Sequence, residues 1–160
     1  MSELRVGIGV DAHALAEGVP LVLGGVPIEY PRGLAGHSDG DVVAHALIDA
    51  VLGAANLGDI GTLFPSGDEQ YRGASSLDLL WEAYREVRGA GWRLVNADCV
   101  LIGEEPRLGA FRDEMQERLA GGLGVEPGRI AVRATTTDRL GFTGRGEGLA
   151  AQAVALLERA

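Results

Sequence analysis

The sequence predicts a single layered domain of the α/β or α+β class, covering residues 1–160. Three observations predict it. The hydrophobic pattern switches repeatedly between a two-residue and a helical period. At 160 residues the chain has single-domain length and can bury a real core. No linker, internal repeat or low-complexity segment divides it, so the alternating strands and helices belong to one sandwich.

Leu4–Val10 alternates and reads as a strand that ends at Asp11 and His13. Leu21–Ile28 reads as a hairpin around Gly24-Gly25 or as one bulged strand. Pro31-Arg32-Gly33 reads as a loop. Ser38 or Asp39 is placed to cap a helix that begins at about Asp39 and stops near Gly53 or Leu57. Residues 57–68 are rich in helix breakers and acids, and loops of this kind tend to carry function. Ser75 or Ser76 can cap a second helix from Leu77 to about Gly89, and Trp92–Ile102 reads as a strand. Pro106 is expected to open a third helix, about Arg107 to Leu119, with Gly121-Gly122 as its stop. Ile130–Thr135 is a further strand. The tail 148–157 supports two readings: its Ala/Leu content suits a helix, and its alternation suits a strand.

Composition narrows function. The net charge of −9 argues against non-specific nucleic-acid binding and against an anionic membrane surface. An anionic substrate fits only where cations, helix N-termini or arginines offset the acids. Cys99 is the sole cysteine, which excludes a disulfide framework and a thiolate cluster. No signal-peptide pattern and no membrane-spanning apolar run is visible, so the expected location is the cytoplasm.

The most chemically dense stretch is His37-Ser38-Asp39-Gly40-Asp41-Val42-Val43-Ala44-His45. His45 sits about one turn into the expected helix, with Asp41 and Asp49 four residues to either side on the same face. Upstream, Asp11 and His13 are two apart, so on a strand both point to one side. Each feature alone has a plain structural reading: a strand terminus, a core histidine, a turn aspartate. Together, Asp11, His13 and His45 make a zinc-type ligand set with an open fourth position. Asp49 reads equally as a ligand, an outer group or a solvated acid. The helix start at Ser38–Asp41 is expected to aim backbone N–H groups at an anion.

The motifs Asp-x-His, His-Ser-Asp-Gly-Asp-x-x-x-His, Leu-Gly-Asp-Ile-Gly-x-Leu-Phe-Pro, Ala-Thr-Thr-Thr and Leu-Gly-Phe-Thr-Gly-Arg-Gly-Glu-Gly occur in this order across nearly the whole chain. In this the chain resembles the 2-C-methyl-D-erythritol 2,4-cyclodiphosphate synthase family of the non-mevalonate isoprenoid pathway. The resemblance implies a phosphorus–oxygen lyase that cyclises 4-diphosphocytidyl-2-C-methyl-D-erythritol 2-phosphate and releases CMP. It also implies a mixed sheet with helices on one face. Three such sheets would meet around the axis of a homotrimer, with active sites between subunits.

Carried over, the resemblance makes Asp11, His13 and His45 the zinc ligands, and gives His37 and Thr136 the transition state. The sugar-phosphate end would be held by Asp11, Ala12, His13, His37, Ser38, Asp59, Ile60, Gly61, Phe64, Pro65, Ser66, Gly67 and Asp68. A neighbouring subunit would hold the cytidine diphosphate end through Gly103, Pro106, Arg107, Leu108, Gly109, Thr135, Thr136, Thr137 and Asp138. Phe142 and Arg145 match further substrate positions. Arg145 and Glu147 also match positions near a central cavity, where an isoprenoid diphosphate is a candidate occupant. Asp138 would hold a second metal, magnesium or manganese. The chain departs from the pattern at Ser66, Arg107 and Asp138, where relatives often have an acid, a lysine and a glutamate. Two other readings remain: a zinc phosphoesterase that yields a linear product, and a trimeric binding module with structural zinc.

Overall fold

The computed structural model describes residues 1–160. The elements run β1 (Leu4–Glu17), β2 (Leu21–Leu23), β3 (Val26–Ile28), β4 (Arg32–Leu34), α1 (Val42–Ala54), α2 (Ile60–Leu63), α3 (Ser76–Gly89), β5 (Trp92–Ile102), α4 (Arg112–Leu123), β6 (Ile130–Thr135), α5 (Gly141–Gly144) and β7 (Gly148–Arg159). Five strands form one mixed sheet in the order β4-β1-β7-β5-β6. Only β5 and β6 are parallel; the other pairs are antiparallel. β2 and β3 form a separate hairpin around Gly24-Gly25, which decides between the two readings of that segment.

The alternation of β1 works in an unexpected sense. Gly7 and Gly9, not the apolar residues, face the helix layer. A Cβ on Gly7 would lie 2.0 Å from the Ala50 carbonyl oxygen, and one on Gly9 1.9 Å from that of Ala46. α1 therefore rides directly on the β1 backbone through Ala46, Ala50 and Ala54. Val6, Ile8 and Val10 point the other way and are exposed, together with Leu4 and with Val154 of β7. α1 itself is buried on nearly every side, between the sheet and α3, as expected for a helix apolar all round.

Several boundaries differ from the sequence reading. β1 runs past His13 to Glu17, because residues 4–14 pair with β7 and 15–17 with β4. Arg32–Leu34 is that edge strand rather than a loop. α1 begins at Val42, and its cap is Asp41, whose Oδ1 accepts from the N–H groups of Val43 and Ala44 at 3.1 Å. The third helix begins at Arg112 instead of Arg107, after a tight turn over Gly109–Phe111. It continues through Gly121-Gly122 and ends at Gly124, where φ is +66°. That left-handed residue, not the glycine pair, supplies the stop. The tail is strand β7, central in the sheet, and its alternation prevails over its helical composition because both neighbours pair with it. Cys99 is fully buried, and burial pushes its thiol up to about 12, so it is chemically inert.

Candidate metal and substrate site

The helix-facing side of β1 continues Gly7, Gly9, Asp11, His13, so the glycines that admit α1 lead directly to the acid and the imidazole. His45 comes down from the first turn of α1 to meet them. Asp11 Oδ2 lies 3.0 Å from His13 Nε2 and 3.1 Å from His45 Nδ1. One ligating atom from each residue falls within 4.8 Å of the others, and no further His, Cys, Asp or Glu joins the group. Burial favours raising the Asp11 carboxyl, but the two imidazoles beside it outweigh that and hold it at about 2. The Asp11 carboxylate in turn lifts His13 above the ordinary imidazole value, against its own burial.

The residues fit a divalent cation. His13 Nε2 is buried without a hydrogen-bond partner, because its approach to Asp11 misses hydrogen-bond geometry. A buried ring nitrogen in that condition, beside a carboxylate oxygen and a second ring nitrogen, is satisfied by a metal ion. The donor set of one oxygen and two nitrogens, with no fourth protein ligand, matches an open catalytic site.

A cavity of about 220 Å³ adjoins the cluster, lined by Asp11, His13, His37, Ser38, His45, Ile60, Gly61, Phe64 and Ser66, and also by Tyr71 and Leu79. Its loops are tied down by side chains. Asp59 caps α2 by accepting from the Thr62 N–H at 2.9 Å and hydroxyl at 2.8 Å. Asp49 Oδ1 accepts from the Ile60 N–H at 2.7 Å. His37 Nε2 lies 2.9 Å from the Asp68 carbonyl oxygen.

A second cavity, about 300 Å³, is lined by Leu101, Gly103, Glu104, Pro106, Arg107, Leu108, Ala134, Thr135 and Thr136. It shares no residue with the first. On its rim the chain makes a tight turn with two successive left-handed residues, Asp138 at φ +52° and Arg139 at φ +66°. Such strain persists only where neighbours over-determine it. Here Glu104 Oε1 accepts from the N–H groups of Thr137 (3.3 Å) and Arg139 (3.1 Å). The Thr136 hydroxyl contacts the Asp138 carboxylate at 3.4 Å and its N–H at 3.3 Å.

The YgbB family model matches residues 4–158. The chain belongs to the YgbB family. Two relatives named 2-C-methyl-D-erythritol 2,4-cyclodiphosphate synthase are each 60% identical to it. The Moorella thermoacetica protein aligns with 96% of this chain and 94% of its own length. The Rubrobacter xylanophilus protein aligns with 100% and 98%. A solved 2C-methyl-D-erythritol-2,4-cyclodiphosphate synthase, in its CDP-bound form, superposes with a TM-score of 0.87 at 41% identity, covering 96% of this chain and 99% of that one.

Within this YgbB fold, Asp11, His13 and His45 come together as their spacing implies. His37, Ser38, Ile60, Gly61, Phe64 and Ser66 line the same cavity. Gly103, Pro106, Arg107, Leu108, Thr135 and Thr136 line the other. Ala12 is exposed and alternates to the opposite face of β1 from its neighbours, so only its backbone belongs to the cluster side. Pro65, Gly67 and Gly109 are exposed, and Thr137 is tied to Leu140 and Thr143 through its hydroxyl. Phe142 and Arg145 are also exposed, and Arg145 Nε pairs with Glu147 at 2.7 Å.

Two expectations are corrected and one open alternative is decided. At the start of α1 the N–H groups of Val43 and Ala44 are not free for an anion, because the Asp41 carboxylate takes them. Asp41 does not share the His45 site either: it is fully buried and also accepts from the N–H groups of Gly24 (2.9 Å) and Gly25 (2.7 Å), pinning the hairpin to the helix. Asp49 is no part of the ligand group; it anchors the Ile60 loop. Sequence reasoning missed Ser76, Tyr71 and Leu79 as site residues, and it covered Glu104 only as part of the stretch 103–109. Ser76 carried a signal, as a candidate helix cap.

Proposed function

We propose that this chain converts 4-diphosphocytidyl-2-C-methyl-D-erythritol 2-phosphate to 2-C-methyl-D-erythritol 2,4-cyclodiphosphate and CMP. The observation that carries the reading is the three-ligand Asp11–His13–His45 cluster lining a cavity with the His37-Ser38 and Asp59–Ser66 loops. In the reaction an oxygen of the 2-phosphate bonds to the β-phosphorus. The bond from β-phosphorus to the bridging oxygen breaks, and its electron pair leaves on CMP. The nucleophile is already a phosphate oxygen, so no general base is required. What the protein must do is neutralise like charges and hold the attacking oxygen in line.

Zinc on Asp11, His13 and His45, with magnesium or manganese beside Asp138, would supply Lewis-acid neutralisation of phosphate charge when bound. His37 Nε2 is committed to the Asp68 carbonyl oxygen, so it is Nδ1–H of the imidazolium, with the Thr136 hydroxyl, that would donate toward developing charge. Ser38, Asp59-Ile60-Gly61 and Phe64–Asp68 orient the methylerythritol end. Gly103–Gly109 and Thr135–Asp138, with Phe142 and Arg145, take the cytidine diphosphate end; that a related solved structure is a CDP-bound form supports a ligand of this kind. The open metal position favours an enzyme over a binding module with structural zinc.

The two cavities of one chain serve one substrate when a neighbouring subunit brings its second cavity to the first. The exposed stripe Leu4, Val6, Ile8, Val10 and Val154 supports this. A patch of that kind on one sheet face marks an interface, here that of a homotrimer. The Arg145–Glu147 pair would then lie near its axis, where an isoprenoid diphosphate could sit. The assignment is to a cytoplasmic enzyme with no nucleic-acid or membrane partner. No helix is long and apolar enough to cross a membrane.

Phosphorus NMR of the zinc-loaded protein with substrate and magnesium tests the function. Cyclic diphosphate appearing in step with CMP is expected. CMP with a linear phosphate product would replace the cyclase with a hydrolase.

A further inference from the structure

The metal cluster has an outer side that the proposed function does not use. His45 Nε2 points away from Asp11 and lies 2.8 Å from the hydroxyl of Ser76, the first residue of α3, and 3.1 Å from that of Ser38. Ser76 is fully buried. Its hydroxyl meets Asp39 Oδ1 in a short hydrogen bond, and its backbone N–H donates to Asp39 Oδ2 at 2.9 Å. The Asp41 N–H also donates to Asp39 Oδ1, at 3.1 Å. Three donors therefore converge on the Asp39 carboxylate.

Ser76 sets the proton accounting along this chain, since its contact with Nε2 is shorter than that of Ser38. A serine hydroxyl carries a single proton. The Ser76 proton is spent on Asp39, so toward His45 the Ser76 oxygen can only accept. For the Ser76 contact to be a hydrogen bond Nε2 must carry a proton; Nδ1, 3.1 Å from the acceptor-only Asp11 carboxylate, donates to it in the imidazolium and in the Nε2–H neutral ring offers its lone pair to a cation. We infer that Asp39 and Ser76 are positioning residues that fix the tautomer and ring orientation of His45, so that Nδ1 is presented to the cation. Neither touches substrate. The inference rests on the metal site proposed above and adds its outer support. Ligating histidines commonly need such a partner on the far nitrogen, and losing it weakens metal binding about 10–100-fold.

The test uses the full chain labelled with ¹⁵N-histidine, at a pH where imidazoles are neutral. Long-range proton–nitrogen correlation reads which ring nitrogen of His45 bears hydrogen. Protonated Nε2 is expected in the metal-free and in the zinc-loaded wild type. In Ser76→Ala, a mixture of tautomers without metal and zinc binding weakened about 10–100-fold, by chelator competition, are expected. Ser76→Thr, which keeps the hydroxyl, should restore both readouts. An unprotonated Nε2 in the metal-free wild type overturns the inference, and so does a Ser76→Ala protein that keeps both the tautomer and the affinity. Should Ser76→Ala not fold, the wild-type tautomer decides alone. A wild type that binds no zinc would strike the metal assignment, while its tautomer would still decide this question.

Discussion

An imidazole coordinates a metal only without its proton, so acid competes with metal for His13 and His45. Asp11 raises His13 above the ordinary value of about 6.5, so this competition starts at a higher pH than for a free histidine. The sign follows: as pH falls through the raised value, zinc affinity falls. Competition titrations between about pH 8 and 6 should show that fall. A flat profile would remove His13 from the ligand set. Replacing a ligand is more severe than replacing its support. His45→Ala should weaken zinc binding by more than about 100-fold, beyond what an outer partner contributes, while the far-ultraviolet circular dichroism stays that of a folded chain. Unchanged zinc stoichiometry in that variant would be incompatible with the cluster. Asp11, His13 and His45 were legible from spacing and residue type alone. Asp39 and Ser76 were not legible as a pair, because 37 residues of chain separate partners that only the packing of α3 beside α1 joins.

At the scale of elements, the approach of α1 to β1 sets the site. The His45 ring reaches Asp11 because the β1 positions beneath α1 are glycines. Gly9→Ala would put a Cβ 1.9 Å from the Ala46 carbonyl oxygen, a backbone atom that cannot yield without moving the helix. Overpacking of this kind costs roughly 1–3 kcal/mol or more. Thermal unfolding should show the loss, and zinc affinity should fall with it, since helix displacement carries His45 away. An equally stable variant with wild-type affinity would mean that the close approach does not position the site. The strand reading of Leu4–Val10 held, yet periodicity could not tell which side of the strand faces the core. Glycine is the inward residue here because the helix leaves no room for a side chain. The same limit explains the third helix. Pro106 and the Gly121-Gly122 pair mark its neighbourhood, but its start at Arg112 depends on the preceding turn over Gly109–Phe111.

For the whole molecule, a single chain leaves an apolar sheet face open and its two cavities apart. A charge on that face tests whether a second and third copy cover it. Ile8→Glu, on the exposed side of β1 where Ile8 is 59% accessible, should leave the monomer fold intact and shift light scattering from trimer to monomer. Turnover should fall with assembly while zinc binding persists, because Asp11, His13 and His45 belong to one chain. A fully active monomer would place both substrate ends in a single subunit.

The class of fold, most strands and the grouping of Asp11, His13 and His45 follow from the amino-acid order alone, because they depend on local period and on residue chemistry at short spacing. The tertiary structure decided the rest. It made the tail a strand by giving it partners on both sides, and it turned the glycines of β1 inward by laying α1 upon them. It turned the N–H groups of Val43 and Ala44 onto Asp41, and it joined Glu104 to Thr137 and Arg139 and Asp39 to Ser76. Each of these outcomes depends on which distant groups satisfy one another once buried, and that pairing is set by packing in space.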